Sequence, residues 1–378
     1  MSGDTRPKSG GGEDSRLTWR QRLLENWRGD APPFFYLKPL GWLYGLGASL
    51  RRRVLPSLSP PSIAGLPVIS FGNLTVGGSG KTPMSLALAR LLIDNGYRPA
   101  VLSRGYGRTP SLRPASVVVS RGEGPIVSVE ESGDEPWMMA SELPGLTVIV
   151  DVDRVQGAEK AKELGADIII LDDGFQQLRL EVNRRILLIP ADKPFGNKAV
   201  LPAGPLRENL SAHRFADLLV ATGAAEPTAE VLELAQERPV FAAEYKPIGW
   251  RSLRERYRKP IEFMAGRKVM AFCGLGRPDG FLRTLEKLGL DIRRFIDFDD
   301  HQVYDRPVLN EIGFHLMDSG AEVLVTTAKD AVKIPPDFPL PLMYLQMQME
   351  INRPDDFFKA VMEGIEAANQ AGKPPWAH

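Results

Sequence analysis

The chain has 378 residues, of which 43% are hydrophobic and 25% are charged, a composition typical of a soluble globular protein of two domains. Basic and acidic residues number 47 each, so bulk charge does not indicate a nucleic-acid partner, and we expect none. The one cysteine excludes a disulfide within the chain and argues against a cysteine-based zinc site.

The N-terminal 30 residues are predicted to be a disordered tail, because their first part is rich in glycine, serine and charge and lacks the apolar core of a secretory signal. Residues 31–58 are predicted to form an amphipathic helix, in which apolar residues recur at helical spacing: Leu43, Leu46, Leu50 and Val54. The segment is interrupted by glycines and Lys38-Pro39, so it does not provide the ~20 apolar residues of a membrane span. Two interpretations stay open. Residues 34–53, with three arginines at 51–53, lie in a membrane interface, or the helix packs on the protein's own core.

Residues 59–222 have the pattern of an α/β domain. Residues 66–71 predict a strand, and a glycine-rich loop and a helix to about Asn95 follow. Residues 166–171 read ADIIIL, the nearly continuous apolar run of a strand inside a parallel sheet. Strands and helices alternate, which predicts a doubly wound sheet of the phosphate-loop NTPase type.

This regularity lapses over residues 223–265, which we interpret as a linker with extended segments. A second set of alternating strands and helices begins with the strand at 268–272. Residues 266–372 are therefore predicted to form a smaller C-terminal α/β domain.

A phosphate-binding loop is predicted between the first strand and its helix. Its residues are Gly77, Gly78, Ser79, Gly80, Lys81 and Thr82. Glycines let backbone N–H groups curl around a phosphate, and the following helix N-terminus adds partial positive charge. Lys81 is suited to the β- and γ-phosphates and the Thr82 hydroxyl to Mg²⁺, so the loop predicts ATP and Mg²⁺ as cofactors. Thr75 departs from the strict motif, which has glycine at that position.

Asp172 and Asp173 follow the apolar strand at 166–171. In phosphate-loop enzymes an acidic residue at the end of a neighbouring strand holds Mg²⁺ directly or through water. We therefore predict a metal site from Thr82 and these two aspartates, without distinguishing which aspartate is the ligand.

Seven motifs occur in a fixed order: GNLTVGGSGKTP (72–83), SRGYGR (103–108), GDEP (133–136), ILDDGFQ (170–176), LPAGPLRE (201–208), DDHQVY (299–304) and TTAKDAVK (326–333). Together they resemble the tetraacyldisaccharide 4′-kinase family. The resemblance implies transfer of the ATP γ-phosphate to the 4′-hydroxyl of an acylated glucosamine disaccharide 1-phosphate in lipid A biosynthesis. It also implies a peripheral, monotopic location on the cytoplasmic face of the bacterial inner membrane.

The resemblance also assigns site residues. The family's catalytic aspartate falls on Asp134 and its partner histidine on His301. Further family positions near the substrate fall on Arg104, Arg207 and Glu208. Two positions depart from the family pattern, because Gln177 stands where histidine is usual and Ala328 where glutamate is usual.

Two other functions remain as alternatives. A membrane-associated NTPase switch would use the same loop to time a protein interaction, and it predicts a water-positioning residue and switch segments. A kinase of a soluble small molecule would leave the apolar face near Trp42 unexplained unless that face packs in the core.

Overall fold

The computed structural model describes residues 19–29, 34–77, 80–106, 108, 116–254, 257–276, 278–299 and 302–371. In this part of the chain, the strands are β1 Val68–Gly72, β2 Pro99–Ser103, β3 Ser116–Arg121, β4 Thr147–Asp151, β5 Ile168–Leu171, β6 Arg184–Pro190, β7 Leu218–Thr222, β8 Val240–Ser252, β9 Lys268–Cys273, β10 Asp291–Asp297, β11 Val323–Thr327 and β12 Leu342–Ile351. The helices are α1 Trp19–Arg28, α2 Lys38–Leu58, α3 Lys81–Asp94, α4 Val129–Ser132, α5 Asp134–Glu142, α6 Arg154–Glu163, α7 Ala229–Ala235, α8 Pro278–Lys287, α9 Arg306–Ser319, α10 Ala328–Ala331 and α11 Pro354–Ala371. Short 3₁₀ helices cover Phe35–Leu37, Leu210–Phe215 and Ile261–Met264.

All of these strands belong to one sheet, in the order β10-β9-β11-β12-β8-β7-β6-β1-β5-β2-β4-β3. The pairs β3–β4 and β8–β12 are antiparallel, and the other neighbours are parallel. The chain runs from β1 to one side of the sheet and later returns to the other side with β6. In open α/β sheets, ligands bind at the carboxyl ends of the strands where the order reverses in this way.

Both faces of the sheet carry helices. Ile168 and Ile170 of β5 pack in a core with α3, α5 and α11, whereas Ile169 and Leu171 pack in a core with α6 on the opposite face. A strand buried on both faces explains the unbroken apolar run in the sequence. The predicted α/β class with a doubly wound sheet is confirmed.

We call the part from β1 to β7 the phosphate-loop half and the part from β9 to Lys333, just after α10, the C-terminal half. Strand β8 pairs with β7 over Val240–Ala243, and β12 pairs with β11 over Leu342–Leu345. Between these contacts β8 and β12 pair with each other as a two-stranded ribbon that joins the halves. The predicted linker at 223–265 therefore contains the regular elements α7 and β8, and the domain boundaries themselves stay a prediction.

Helix α2 packs on the phosphate-loop half through its small residues. A methyl group on Gly41 would lie 2.7 Å from the Val200 carbonyl oxygen, and one on Gly45 would lie 2.9 Å from Asn209 Oδ1. The Asn209 amide donates to the Gly45 carbonyl at 3.1 Å and to the Ser49 hydroxyl at 3.0 Å. Glycine is required on this face because the backbone of α2 approaches its neighbour closely.

The large apolar residues of α2 face outward. Trp42 is 68% exposed, Leu46 is 52% exposed and Leu50 is 58% exposed. Leu40, Leu43 and Tyr44 are exposed on the same helix. The interpretation in which this apolar face packs on the protein's own core is therefore wrong. No helix in the described part of the chain is long and apolar enough to cross a bilayer.

The end of α5 carries a partly buried acid, Glu142, near Arg251 of β8 and Arg90 of α3. Burial raises the pKa of Glu142 to about 7, although the charges of Arg251, Arg90 and Arg258 lower it in part. The folded protein therefore holds this proton more tightly than the unfolded chain does. The contribution to the free energy of unfolding must fall as the pH rises from about 4.5 to about 7.

Glu142→Gln should remove this pH dependence, because glutamine stays neutral when buried. We expect the variant to be more stable than the wild type at pH 8, by up to about 3 kcal/mol, and equally stable near pH 4.5. Urea unfolding across this pH range measures the difference. The exposed Glu286→Gln, on the C-terminal half, is the matched control. A stability difference that does not grow with pH would contradict the assignment.

Candidate active site

The predicted phosphate loop lies at the carboxyl end of β1. Gly80 precedes the first residue of α3 with φ +79°, and a methyl group on it would lie 2.9 Å from Met349 Cε and 3.3 Å from the Tyr245 hydroxyl. Glycine is therefore required both for the left-handed backbone and for the close approach of the β8–β12 ribbon. Gly77 also has positive φ, at +104°.

Two residues of the loop, Gly78 and Ser79, lie outside the described residues. Before them, the chain pairs with the segment at 205–207. The Val76 N–H donates to the Pro205 carbonyl at 2.8 Å, and the Arg207 N–H donates to the Leu74 carbonyl at 2.7 Å. Thr75 forms an antiparallel β-bridge with Leu206 in this pairing. Its backbone is therefore extended and does not need the tight turn that glycine allows.

The first residue of α3, Lys81, points at the acidic end of β5. Its Nζ lies 3.4 Å from Asn73 Oδ1 and 3.7 Å from Asp173 Oδ1. Arg207 Nη1 donates to both Asp173 oxygens, at 3.1 and 3.0 Å. Burial alone would raise the pKa of Asp173, but Lys81 and Arg207 outweigh it and hold that pKa below its ordinary value. Asp173 is therefore ionised and bridges the two cations.

Asp172 lies deeper and accepts two hydroxyl hydrogen bonds from α3. Thr82 Oγ1 donates to its Oδ2 at 3.1 Å, and Ser85 Oγ donates to its Oδ1 at 3.2 Å. Burial, followed by the negative charge of Glu135, raises the pKa of Asp172 to about 6. Thr82 Oγ1 also lies 3.4 Å from Glu135 Oε2. This cluster concentrates negative charge at the end of β5, beside the phosphate loop.

The cluster has the donor chemistry of a magnesium site. A threonine hydroxyl and a carboxylate are hard oxygen ligands, and Mg²⁺ is commonly held by one or two carboxylates together with substrate phosphates. In the described residues, no group of three or more His, Cys, Asp or Glu side chains is arranged to hold a metal by itself. The Thr82 hydroxyl and the Asp172 carboxylate are of the kind that hold Mg²⁺ together with substrate phosphates.

Asp134 begins α5 and is buried. Tyr106 and Arg108 contact the residues just before it: a methyl group on Gly133 would lie 2.7 Å from the Tyr106 carbonyl oxygen, and Arg108 Nε donates to the Glu131 carbonyl at 2.6 Å. Asp134 Oδ2 lies 3.6 Å from Lys333 Nζ of the C-terminal half. Its predicted partner His301 lies outside the described residues.

A cavity of about 620 Å³ opens between α2 and the phosphate-loop half. Its polar wall includes Arg51, Arg104, Asp173, Gln176 and Arg207, and its apolar wall includes Tyr44, Val76, Leu178 and Leu201. The cavity thus connects the acidic end of β5 with the exposed helix α2.

Glu208 also lines this cavity but is engaged by α2. Arg52 donates to both of its carboxylate oxygens at 2.7 Å, and both side chains are buried. The Arg52 guanidinium also donates to the Phe175 carbonyl and lies 4.8 Å from the Phe215 ring centroid. The pair therefore anchors α2 beside the site, and a role of Glu208 toward substrate stays a prediction.

Comparison with known proteins identifies the family. The family model described as Tetraacyldisaccharide-1-P 4′-kinase matches residues 34–366. This chain belongs to that family. A tetraacyldisaccharide 4′-kinase of Syntrophus aciditrophicus is 37% identical over 372 residues, covering 91% of this chain and 98% of the relative. One of Pelobacter propionicus is 42% identical over 304 residues, covering 79% and 82%.

A solved structure shares the fold. LpxK from Aquifex aeolicus, in a crystal structure described as an "apo" form in complex with ATP, superposes with a TM-score of 0.71 at 31% sequence identity. The match covers 87% of this chain and 98% of that chain. The resemblance inferred from the seven motifs is thereby confirmed.

The two departures from the family pattern differ in their local roles. Gln177 Oε1 accepts hydrogen bonds from the backbone N–H groups of Leu178 and Arg179, at 2.8 and 3.1 Å, and so supports a backbone turn. Ala328 is the first residue of α10, whose N-cap is the Thr327 side chain, and nothing in the structure explains the alanine there.

Sequence reasoning missed several residues of the site: Asn73, Ser85, Glu135, Tyr245, Lys333 and Met349. Asn73, Glu135 and Lys333 do lie inside quoted motifs, GNLTVGGSGKTP, GDEP and TTAKDAVK, which was the available signal. Tyr245 and Met349 approach Gly80 only because β8 and β12 cross between the halves, and no local pattern indicates that contact.

Proposed function

We propose that this protein transfers the γ-phosphate of ATP to the 4′-hydroxyl of tetraacyldisaccharide 1-phosphate in lipid A biosynthesis. The observation that carries the proposal is the family match over residues 34–366 to a chain whose phosphate loop adjoins an arginine-lined cavity. The cavity provides space for an acceptor beside the nucleotide, on the side where the apolar helix α2 lies.

The nucleotide is bound by the start of α3. The backbone N–H groups of the loop and the positive end of the helix hold the phosphates, and Lys81 places its ammonium toward the transferred group. Thr82 and Asp172 would hold Mg²⁺, which neutralises phosphate charge when bound. Arg104 and Arg207 supply guanidinium groups suited to a phosphate oxygen of ATP or of the acceptor.

Asp134 is the proposed base. The 4′-hydroxyl gives its proton to the Asp134 carboxylate, the hydroxyl oxygen bonds to the γ-phosphorus, and the bond from that phosphorus to the β-phosphate oxygen breaks to release ADP. Because Asp134 is buried, few waters compete with the acceptor hydroxyl for its carboxylate. The predicted role of His301 is to orient this carboxylate or tune its pKa.

The direct test incubates the protein in detergent with Mg²⁺, ATP labelled in its γ-phosphate and tetraacyldisaccharide 1-phosphate. We expect label on the 4′-position of the distal sugar. Slow hydrolysis of ATP without labelled lipid would favour the NTPase switch. Label on a de-acylated disaccharide but not on the lipid would favour a kinase of a soluble acceptor.

We further propose that the protein binds the cytoplasmic face of the inner membrane through residues 34–53. The exposed apolar side chains of α2 would enter the interface, and the exposed Arg51 and Arg53 would meet anionic lipid. An acylated substrate would then reach the cavity along the helix without leaving the membrane surface.

A double variant of α2, Trp42→Ser with Leu46→Ser, should weaken binding to anionic vesicles at least about tenfold, because each side chain contributes about 1.5–3 kcal/mol when buried in an apolar environment. Vesicle flotation measures the binding. Phe314→Ser with Met317→Ser is the matched control, since these residues are equally exposed on α9. Equal loss in both variants, or no loss in the α2 variant, would count against the proposed membrane surface.

A further inference from the structure

Lys333 connects the two halves of the protein at the proposed base. Its side chain is 13% exposed, and its Nζ lies 3.6 Å from Asp134 Oδ2 and 3.8 Å from Asp330 Oδ1. Asp134 belongs to α5 of the phosphate-loop half, whereas Asp330 and Lys333 follow β11 in the C-terminal half. The ammonium group is therefore placed between two buried carboxylates on different halves.

On the C-terminal side, the carboxylate that contacts Lys333 belongs to Asp330, which is fixed by hydrogen bonds. Asp330 is fully buried, and its Oδ2 accepts hydrogen bonds from Thr327 Oγ1 at 2.7 Å and from the Gly274 N–H at 3.0 Å. Its own N–H donates to Thr327 Oγ1 at 3.1 Å. These bonds leave the Asp330 Oδ1 edge facing Lys333, so the position of the ammonium is set by the loops at the ends of β9 and β11.

The chemistry of lysine fits one role at this place. A charged ammonium has only donors, so Lys333 cannot itself accept the acceptor's proton. It provides a compact positive charge that favours one orientation of the Asp134 carboxylate. The separation of 3.6 Å from Asp134 Oδ2 is longer than a tight ion pair, so Lys333 acts on this carboxylate mainly through its charge.

We propose that Lys333 is a positioning residue for phosphotransfer. Anchored by Asp330, it orients the Asp134 carboxylate toward the acceptor hydroxyl and makes that orientation depend on the C-terminal half being in place. The proposal rests on the proposed function, in which Asp134 is the base. It gives a role to the last residue of the TTAKDAVK motif.

Lys333→Met tests this role by removing the charge and keeping much of the volume. We expect kcat to fall about 10²-fold, the loss that a misplaced catalytic group produces, with the KM for ATP within about twofold of wild type. Lys333→Arg should recover part of the lost kcat because it restores the charge. Lys287→Met, at an exposed site on α8, is the control for removing a lysine from the C-terminal half.

The coupling to Asp134 distinguishes positioning from a general structural role. In an Asp134→Asn background, Lys333→Met should cause little further loss of kcat, because the group that it positions is already disabled. Losses that multiply would overturn the proposal, as would normal kcat in a folded Lys333→Met or a loss confined to the KM for ATP. If Lys333→Met does not fold, Lys333→Arg takes its place, and its kcat is compared alone and in the Asp134→Asn background.

The outcomes for the two proposals are separable. An inactive wild-type protein in the labelled-ATP experiment removes the proposed function and, with it, the basis of this inference. An active wild type with a fully active Lys333→Met removes the role of Lys333 alone.

Discussion

Replacing Lys81 by alanine should reduce phosphotransfer at least about 10²-fold, the loss typical of removing one preorganised charge-stabilising donor from an active site. Lys81 starts α3 and lies within 3.7 Å of Asp173, so its ammonium is held at the carboxyl end of β1 and β5. No other residue at the start of α3 provides a cation, because the next residues are Thr82, Pro83 and Met84.

The fold should survive this change. The Lys81 ammonium makes polar contacts at the site and is not part of the hydrophobic cores, so thermal unfolding should shift little. Lys162→Ala is the matched control, because it removes an exposed lysine from α6, and it should retain full activity. Steady-state transfer of labelled phosphate measures both variants, and near-normal activity of a folded Lys81→Ala would refute the phosphate-loop assignment.

Replacing Asp134 by asparagine should lower kcat by about 10²–10⁴-fold, the usual contribution of a general base. Asparagine keeps the size of the side chain and can still accept the hydrogen bond that the Glu135 N–H donates at 3.1 Å, but it cannot accept the proton of the acceptor hydroxyl. ATP affinity should change little, since Asp134 contacts the Glu135 N–H and Lys333 of the C-terminal half.

Equilibrium binding of ATP and single-turnover transfer, measured on the same preparation, separate the two effects. Glu130→Gln removes an exposed acid from the neighbouring helix α4 and serves as the control. A loss of ATP binding equal to the loss of transfer would show that Asp134 acts on the nucleotide and not on the acceptor.

The sequence predicted those parts of the site that lie on one continuous segment. The loop ending in Lys81 and Thr82 follows a strand and opens a helix, and the acids Asp172 and Asp173 close an apolar run, so local pattern was sufficient for both. The fold class followed for the same reason, because buried parallel strands have a recognisable composition.

Short or irregular elements were not predicted. Helix α5 has nine residues, includes Pro136 and buries only Asp134, Pro136, Met139 and Ala140, so its periodicity is weak. The edge strand β3 and the short helices α4 and α7 were also missed. The prediction of a disordered tail over the first 30 residues is wrong for Trp19–Arg28, which forms helix α1. The contact between Lys333 and Asp134 depends on how the two halves meet across the sheet, which no local pattern encodes.

The orientation of α2 could not be decided from its own composition. A stripe of leucines predicts an apolar face but does not indicate what covers it. The deciding residues were Gly41 and Gly45, whose close approach to Val200 and Asn209 turns the leucines outward.

Because of this arrangement, the positions of α2 that accept substitutions are the opposite of those in a helix buried in a hydrophobic core. The positions with the largest side chains, such as Trp42 and Leu46, should tolerate exchange for other apolar residues, because more than half of each side chain is exposed. The positions with no side chain are constrained instead: a methyl group on Gly41 would collide with the Val200 carbonyl oxygen, and one on Gly45 would displace the Asn209 side chain. The outward-facing positions of α2 can therefore vary as long as they stay apolar, whereas the same positions of a core helix could not. Gly41 and Gly45 are restricted, although a core helix could accept alanine at such positions.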